Sequence, residues 1–395
     1  MPPFLLACLA YVSAALPGST LGLLWPSMRT SFHQPLDALG IILVFGTAAS
    51  VLASALAGRA LQRLRMGALL ASGTALVALA LVIEAIAPSF WLVAFGSSLF
   101  GAGFGSVDAA LNVYAANHFG PRQVNWAHAS FGIGATIGPL LVTVLLNRGV
   151  GWRLVLAAFA GLLGLLGVVF VATRKNWENA PRAQARKKHL EGRPSPTSKE
   201  RPARLAVWSG LTFTAMETGI ESGAGIWAYV YLARGHGLSD VGAGAAVSAY
   251  WAMMVVGRAT LGPLAERTGP RFVLWLAVFG VIVGAALMAA PGPVYFDVAG
   301  LMLLGLAAAP IFPLFTLTTS ERLGGLGTAG TAHVVGLQVA ASALGSAALP
   351  SGIGVAMGAL GSRALGPFTL VLAVPMTALY WFTSVLPGRD PPPPS

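Results

Sequence analysis

The sequence has very few charged residues. Asp, Glu, Lys and Arg together make up 9% of its 395 residues, whereas an ordinary soluble domain carries about 25%. Because 56% of the residues are hydrophobic, the chain cannot form a water-exposed surface of normal polarity. The composition therefore excludes a soluble globular protein and a disordered chain, and it predicts a protein that lies within a membrane.

Cysteine is almost absent as well. The one cysteine, Cys8, lies inside the first apolar run, so an intramolecular disulfide and a cysteine-rich metal site are both excluded. The sequence also has no nucleotide-binding loop, no metal-ligand spacing and no Ser/His/Asp combination at the predicted membrane faces. We therefore expect no enzyme activity, no catalytic residue, no bound metal and no cofactor.

Long apolar runs fill most of the chain. A membrane-spanning helix needs about 20 apolar residues, and twelve such runs lie between polar breaks. They are too long and too continuously apolar for barrel strands, so we predict an all-α membrane protein with twelve transmembrane helices. The predicted spans are 4–27, 39–58, 66–87, 91–116, 126–147, 152–172, 206–232, 241–261, 272–290, 297–319, 331–356 and 363–385.

Basic residues are distributed unevenly between the two sides of this map. Of the 24 Lys and Arg residues, nineteen, Arg258 among them, fall in loops on one side, and five fall on the other. Positively charged loops stay in the cytoplasm, so we expect a multi-pass protein of the cell (inner) membrane with both termini in the cytoplasm. The net charge of +11 then reflects topology, and we expect no nucleic-acid partner.

One long polar segment divides the chain. Residues 173–205 carry ten of the basic residues. We predict an N-terminal six-helix bundle over 1–172, a basic cytoplasmic linker over 173–205 and a C-terminal six-helix bundle over 206–395. We interpret the linker as a solvated segment that fixes the topology, with a regulatory or lipid-headgroup role as the alternative.

The two predicted halves share features at a constant offset of 204 or 205 residues. Gly101 corresponds to Gly305, and His128 corresponds to His333. Matches at one offset on separate spans indicate an internal repeat. We therefore predict two pseudo-symmetric six-helix halves.

The loop between spans 8 and 9 carries a recognisable motif. Its pattern, Gly262-x-Leu-Ala-Glu266-Arg267-x-Gly-x-Arg271, resembles the signature loop of the major facilitator superfamily, with Glu in place of the usual Asp. The copy between spans 2 and 3 has Gln62 in place of the acid. The resemblance implies a major facilitator fold and a conformational latch formed by Gly262, Glu266, Arg267 and Arg271.

Three carboxylic acids fall well inside the predicted spans: Asp108, Glu217 and Glu221. An ionised carboxylate at the middle of a membrane costs at least about 2.5 to 3.5 kcal/mol. Each of these residues therefore needs a cavity, a partner or a proton. A further acid, Glu84, is close to the outer end of span 3, and we interpret it as a rim residue.

Asp108 lies on a glycine-rich face of span 4. Gly101, Gly105, Asp108 and Asn112 share one side of a helix, so the acid and the amide lie one turn apart and can form a hydrogen bond. This face could hold helices together, but a group that needs a proton is poorly suited to that role. We therefore predict a functional site here.

Glu217 and Glu221 lie one turn apart on span 7. Two carboxylates stacked in a medium of low dielectric constant cannot both ionise cheaply, so we expect at least one to hold a proton near neutral pH. Gly219, Gly223 and Gly225 weaken the helix, as in the discontinuous helices of transporter sites. The alternative for Glu217 is that it faces another helix and is simply protonated.

Within the superfamily, spans 4 and 7 most resemble the fucose/galactose/glucose:proton symporter group and its sodium-glucose relatives. The similarity consists of Asp108 followed by Asn112, and of a Gly-x-Glu-x-x-x-Gly-x-Trp pattern from Gly219 to Trp227. It implies that Asp108 takes part in proton coupling or sugar binding and that Glu221 lines the same cavity. Span 1 lacks the acid usual in this group, so Glu221 or Glu217 would have to replace it.

Three further residues are candidates for binding the substrate. Gln338 on span 11 can both donate to and accept from hydroxyl groups, Trp227 could stack on a sugar ring, and His128 begins span 5. Two of them have an alternative: Trp also gathers at membrane interfaces without any ligand, and a lone His near a span end is often an interfacial or hydrogen-bonded residue. We place Asn112 and Glu221 with these three as substrate ligands.

These observations predict a monomeric secondary transporter that works by alternating access between its two halves. The predicted cargo is a sugar or a similar hydroxylated solute, carried with a proton bound to Asp108, Glu221 and Glu217, or alternatively with sodium. A second interpretation is proton-coupled export of amphipathic drugs or metabolites. A third, a receptor that transports nothing, leaves the three acids unexplained.

Overall fold

The structure is a computed structural model that describes residues 1–119, 121–177, 204–323 and 328–385. The described part of the first 177 residues forms seven α-helices and two short 3-10 helices, Leu36–Ala38 and Arg174–Trp177. The α-helices are α1 (Pro3–Gly18), α2 (Leu21–Ser31), α3 (Leu39–Arg63), α4 (Met66–Ile86), α5 (Phe90–His118), α6 (Pro121–Asn147) and α7 (Trp152–Ala172).

The described part of the remaining chain forms eight more α-helices. They are α8 (Arg204–Val230), α9 (Asp240–Thr268), α10 (Pro270–Ala289), α11 (Val294–Ala308), α12 (Ile311–Leu317), α13 (Thr319–Arg322), α14 (Thr328–Leu360) and α15 (Leu365–Val385). The chain continues from α8 through one turn of π-helix, Tyr231–Gly235.

Eleven helical segments of the described chain are long and apolar enough to cross a membrane. The twelfth, α8, has 27 residues and is about 40 Å long, but its polar residues lower its hydropathy. The expectation of an all-helical membrane protein is thereby confirmed. The helices extend beyond several predicted spans: α14 reaches from Thr328 to Leu360, where the sequence indicated 331–356.

Two predicted spans are each interrupted at a proline. The first divides into α1 and α2 beside Pro17, and the tenth divides into α11 and α12 at Pro310. Proline has no N–H group to donate and crowds the preceding turn. Apolar composition did not reveal either break, because both halves of each span remain hydrophobic.

Large apolar side chains on α7 face outward. Leu154, Leu165 and Val168 are 63 to 65% exposed, while Phe159 and Phe170 on the same helix are buried. An apolar surface of this kind is stable against lipid tails but not against water. The chain is therefore a multi-pass membrane protein.

The described residues separate into two compact units. Unit 1 contains those of Met1–Ala185 together with Gly225–Ala252 and Gly354–Ser362, and unit 2 contains those of Arg186–Ala224, Met253–Ile353 and Arg363–Ser395. The predicted linker over 173–205 lies almost entirely outside the described residues. The division of the sequence into domains at that linker stays a prediction.

In unit 1, two glycines let α5 pack closely against α3. A Cβ atom added to Gly101 would overlap the carbonyl oxygen of Gly46, and one added to Gly105 would overlap that of Ser50. The hydroxyl of Ser54 on α3 also donates to the carbonyl oxygen of Gly105 at 3.0 Å. This close approach fixes the part of α5 that carries Asp108.

An aromatic cluster holds four helices of unit 2 together. The ring of Phe213 on α8 lies 4.3 Å from that of Phe315 on α12 and 5.6 Å from that of Tyr380 on α15. Trp275 on α10 contacts Tyr380 at 4.7 Å. Such pairs contribute about 0.5 to 1.5 kcal/mol each beyond their buried area, so the cluster fixes these helix ends with respect to one another.

Candidate functional site

In unit 1, Asp108 is hydrogen-bonded to two neutral side chains. Its carboxyl group forms hydrogen bonds with Asn112, one turn along α5, and with Tyr11 on α1. The Tyr11 hydroxyl also lies 3.5 Å from the amide oxygen of Asn112. Among the described residues, no basic side chain pairs with Asp108. Within the described part of the chain, the carboxyl group therefore has hydrogen-bond partners but no fixed countercharge.

Tyr11 is the residue of this cluster that sequence reasoning missed. Span 1 contains no second acid, and the side chain that meets Asp108 there is a phenol. Tyr11 is only 5% exposed, and a buried tyrosine hydroxyl usually finds a partner. A lone tyrosine within an apolar span was the signal available in the sequence.

In unit 2, Glu217 and Glu221 share one basic neighbour. Both carboxyl groups of α8 interact electrostatically with Arg258 on α9, and Glu217 also interacts with Glu221. One positive charge can balance only one of two carboxylates. The cluster is therefore neutral when one of the two acids holds a proton, and it carries one negative charge when neither does.

Glu217 is the more deeply buried of the two acids. It is 2% exposed, and its Oε2 accepts a hydrogen bond from the Thr218 hydroxyl at 3.1 Å. Its Oε1 is buried and has no hydrogen-bond partner among the described residues. An ionised carboxylate in this position would leave a charged oxygen unsatisfied, so the neutral acid is the form that the surroundings favour.

Arg258 was assigned to a cytoplasmic loop from the sequence, and the structure places it inside a helix. Because α9 continues to Thr268, Arg258 lies ten residues before the helix end, about 15 Å along its axis. Without Arg258, the predicted cytoplasmic side still carries far more basic residues than the other side. Arg258 is the second functional residue that sequence reasoning missed.

The glycines of span 7 do not interrupt the helix, contrary to the expectation of a discontinuous helix. From Arg204 to Val230, α8 is continuous. A Cβ atom added to Gly219 would overlap Leu349 on α14, and one added to Gly223 would lie 2.7 Å from Ile353. These glycines admit a neighbouring helix. The hydroxyl of Ser342 on α14 donates to that of Thr218 at 2.9 Å.

The remaining predicted ligands are two buried side chains and one side chain outside the described part of the structure. Trp227 in unit 1 is completely buried, with its indole against Gly354. Gln338 in unit 2 is 1% exposed, and its Oε1 accepts from the Thr319 hydroxyl at 3.0 Å. Its described contacts do not include Glu217 or Glu221. The side chain of His128 is outside the described part of the structure.

The motif between spans 8 and 9 forms the turn from α9 to α10. Gly269 has a φ of +91°, a conformation that glycine adopts without strain, and Pro270 begins α10. Glu266, Arg267 and Arg271 are exposed, and in the part of the chain that the structure describes they form no ion pair. Their role as a latch stays a prediction.

Glu84 lies close to a helix end, as the sequence indicated, but its side chain is buried. It is 8% exposed near the end of α4, where Gly96 of α5 lies against its side chain. The outer end of a span can thus be buried by its neighbours, which the distance from a span end does not reveal.

Comparison with known proteins decides the family. Residues 7–350 match the Major Facilitator Superfamily. The chain belongs to this superfamily. It is therefore a transporter of small molecules within a lipid bilayer and not an enzyme.

Individual relatives agree with the superfamily fold. An "Uncharacterized transporter y4wD" of Sinorhizobium fredii (strain NBRC 101917 / NGR234) is 26% identical over 301 residues, which cover 73% of this chain and 74% of the relative. A bacterial homolog of the human lysosomal transporter Spinster, in an inward-facing and occupied conformation, is similar with a TM-score of 0.73 at 15% identity, covering 99% of this chain and 98% of the other.

The transporter FucP, in the outward conformation, is similar with a TM-score of 0.63 at 18% identity, and the match covers 98% of each chain. FucP is thus less similar in structure than the Spinster homolog. Likeness at these identities shows the fold alone. It agrees with the predicted fold and does not single out the sugar symporter group.

Proposed function

We propose that the chain is a secondary active transporter that carries a sugar or a similar hydroxylated solute together with a proton. The observation that supports this most is the surroundings of Asp108. The carboxyl group lies within a span, bonded to Tyr11 and Asn112 and without a basic partner among the described residues. A proton or another small cation is then what can neutralise it.

Protonation of Asp108 links the ion to the conformational change. An ionised acid is costly to enclose in a water-poor site, so the empty, charged site resists passing through an occluded state. With a proton on Asp108, the hydroxyl of Tyr11 and the amide of Asn112 can turn to the hydroxyl groups of a solute. Loading and movement are thereby coupled.

The acids of unit 2 contribute a second protonatable position. Glu217 and Glu221 share the single countercharge of Arg258, so a proton on either acid makes the cluster neutral. We assign proton coupling to both residues and substrate binding to Glu221, the more accessible of the two.

Trp227 and Gln338 require another state of the transport cycle to meet a solute. Both are at most 1% exposed, so they cannot reach a bound sugar in the conformation described. A superfamily member changes conformation during alternating access. We retain Trp227, Gln338 and His128 as ligands of a different state.

The proposed location and orientation of the protein in the cell follow from the distribution of its basic residues. We propose that the protein is a monomer in the inner membrane with both termini in the cytoplasm, because basic residues concentrate on that side of the predicted map. Sodium is the alternative to the proton as the coupling ion.

Export of amphipathic cations is the other transport function that acidic residues suit. Arg258 argues against it, because a cation beside Glu217 and Glu221 would meet a positive charge that is already in place. The two functions predict opposite signs of coupling: the solute moves in the same direction as the proton in symport and in the opposite direction in export.

The test is uptake of radiolabelled hexoses into proteoliposomes under an imposed pH or sodium gradient. We expect the wild type to accumulate a hexose when the outside is acidic, and Asp108→Asn to lose gradient-driven accumulation. The control is Asp37→Asn, which changes an acid of the short helix Leu36–Ala38. Wild-type uptake that ignores both gradients would end the symport proposal, and coupled uptake by Asp108→Asn would remove this residue from it.

A further inference from the structure

We propose that unit 2 binds a phosphate-bearing anion between Arg271 and Arg322, where α10 begins and α15 ends. The proposal goes beyond the transported solute and its coupling ion. It rests on a small cavity into which both arginines project. The other polar residues that line the cavity are Thr318, Tyr380, Thr383 and Ser384.

Arg322 is buried, and no carboxylate of the described residues pairs with it. It is 9% exposed, its Nε donates to the Thr318 hydroxyl at 3.2 Å, and its Nη2 donates to the Thr319 hydroxyl at 3.3 Å and to the carbonyl oxygen of Phe315. Its guanidinium carbon lies 3.4 Å from the centre of the Phe315 ring. All these partners are neutral, and burial lowers the pKa of Arg322 to about 10.

Two of the five N–H groups of Arg322 remain for a ligand. A guanidinium carries one N–H on Nε and two on each terminal nitrogen, and the three described hydrogen bonds use those of Nε and Nη2. Within the described chain, the pair on Nη1 has no acceptor. A buried charge in this position is stabilised best by an anion.

Arg271 adds a second positive charge to the same cavity. It is exposed, and its charge acts unfavourably on Arg322. Two guanidinium groups that converge without a carboxylate, as far as the described residues extend, repel one another. An anion between them would turn this repulsion into two charge-assisted interactions.

The hydroxyl groups in the cavity already have hydrogen-bond acceptors, so an anion there must be bound mainly by the two arginines. Thr318, Thr383 and Ser384 donate to carbonyl oxygens of their own helices, so the strong free donors are the two guanidinium groups. The Tyr380 hydroxyl has a hydrogen bond with Ser384 and makes a long contact, 3.5 Å, with the carbonyl oxygen of Arg271. Forked donors on two sides match the several oxygens of a phosphate.

Two sources of phosphate are compatible with the position. Trp275 also lines the cavity, and tryptophan is enriched where membrane meets water, so the phosphate of a lipid headgroup could enter from the bilayer. A free phosphate group could enter from the aqueous side. Both have the same chemistry at the arginines and differ in whether acyl chains are required.

The experiment measures thermal unfolding of delipidated protein in detergent. Inorganic phosphate is titrated at constant ionic strength in one arm, and dihexanoyl phosphatidic acid is titrated against dihexanoylglycerol in the other. We expect a saturable rise in the midpoint for the wild type, and binding weakened about tenfold or more in Arg271→Gln, the loss of one charged contact. Arg267→Gln is the matched control, an exposed arginine outside the cavity lining.

Each outcome bears on the proposal. Stabilisation by inorganic phosphate identifies a free anion, and stabilisation by phosphatidic acid alone identifies a lipid headgroup. No stabilisation by either ligand overturns the site, as does an equal effect in wild type and Arg271→Gln or an equal loss in Arg267→Gln. Transport is not the readout, so failure of hexose uptake leaves this result unaffected.

Discussion

At the residue scale, the cost of a charge in the membrane is what makes individual side chains informative. Asp108, Glu217 and Glu221 could be selected from the sequence because a carboxylate within an apolar span demands an explanation. Their partners could not. Tyr11 and Arg258 are ordinary residues in the sequence, and their importance depends on which helices pack together. Tyr11 is 97 residues from Asp108 in the chain, and Arg258 is at most 41 residues from its two acids.

Removing the hydroxyl of Tyr11 should weaken the site of unit 1. Tyr11→Phe deletes one hydrogen bond to Asp108, and a hydrogen bond to a charged group contributes about 1.5 to 3 kcal/mol. We expect gradient-driven uptake to fall about tenfold or more, as measured by initial rates in proteoliposomes. The control is Tyr295→Phe, which changes an exposed ring on α11, and a similar loss in that variant would contradict the assignment.

Neutralising Arg258 should change the thermal stability of the protein differently from neutralising one of its two acids. Glu217→Gln removes a carboxylate whose Oε1 lacks a partner, so the midpoint of thermal unfolding should stay the same or rise. Arg258→Gln leaves two acids without their countercharge. Breaking a fully buried pair in this way costs about 3 to 5 kcal/mol, and because Arg258 and Glu221 are partly buried we expect a smaller fall in the midpoint.

The double variant Glu221→Gln with Arg258→Gln checks the pairing itself. Removing an acid together with the base should restore part of the lost stability, because fewer buried charges remain uncompensated. If the double variant is no more stable than Arg258→Gln alone, the electrostatic account of this cluster is wrong.

At the scale of helices, glycine is the residue whose meaning the sequence leaves open. In α8 the sequence suggested a weakened helix, yet Gly219 and Gly223 lie where α14 approaches. Both interpretations follow from the fact that glycine has no side chain, and only the position of the neighbouring helix distinguishes them. Helix type and approximate length were predictable from apolar runs, whereas the breaks beside Pro17 and Pro310 were not.

The contact between α3 and α5 gives a test with a matched control. Gly101→Ala would place a methyl group against the carbonyl oxygen of Gly46, and overpacking of this kind costs about 1 to 3 kcal/mol. We expect a lower midpoint of thermal unfolding. Gly161→Ala on α7 adds a methyl group where no other atom lies within 4 Å, so it should be neutral or slightly stabilising. Equal midpoints would contradict the close packing.

At the scale of the whole molecule, topology follows from the distribution of basic residues, and it can be tested through the single cysteine. In a Cys8→Ser background, we expect Leu190→Cys in the predicted linker to react with a membrane-impermeant maleimide only in inside-out vesicles. Gly151→Cys, between α6 and α7, should react only in right-side-out vesicles. Labelling on the opposite sides would invert the orientation.

The shared countercharge at Arg258 has an electrical consequence. The charge of the acid pair in unit 2 changes by one unit when a proton binds to it, and the charge of Asp108 changes in the same way. The protein with a bound proton therefore differs in charge from the empty protein, and no other group has to change its protonation. A neutral sugar carried with one proton would then move one positive charge across the bilayer. At 100 mV that charge supplies about 2.3 kcal/mol, enough for about 50-fold accumulation of the solute with no pH difference at all.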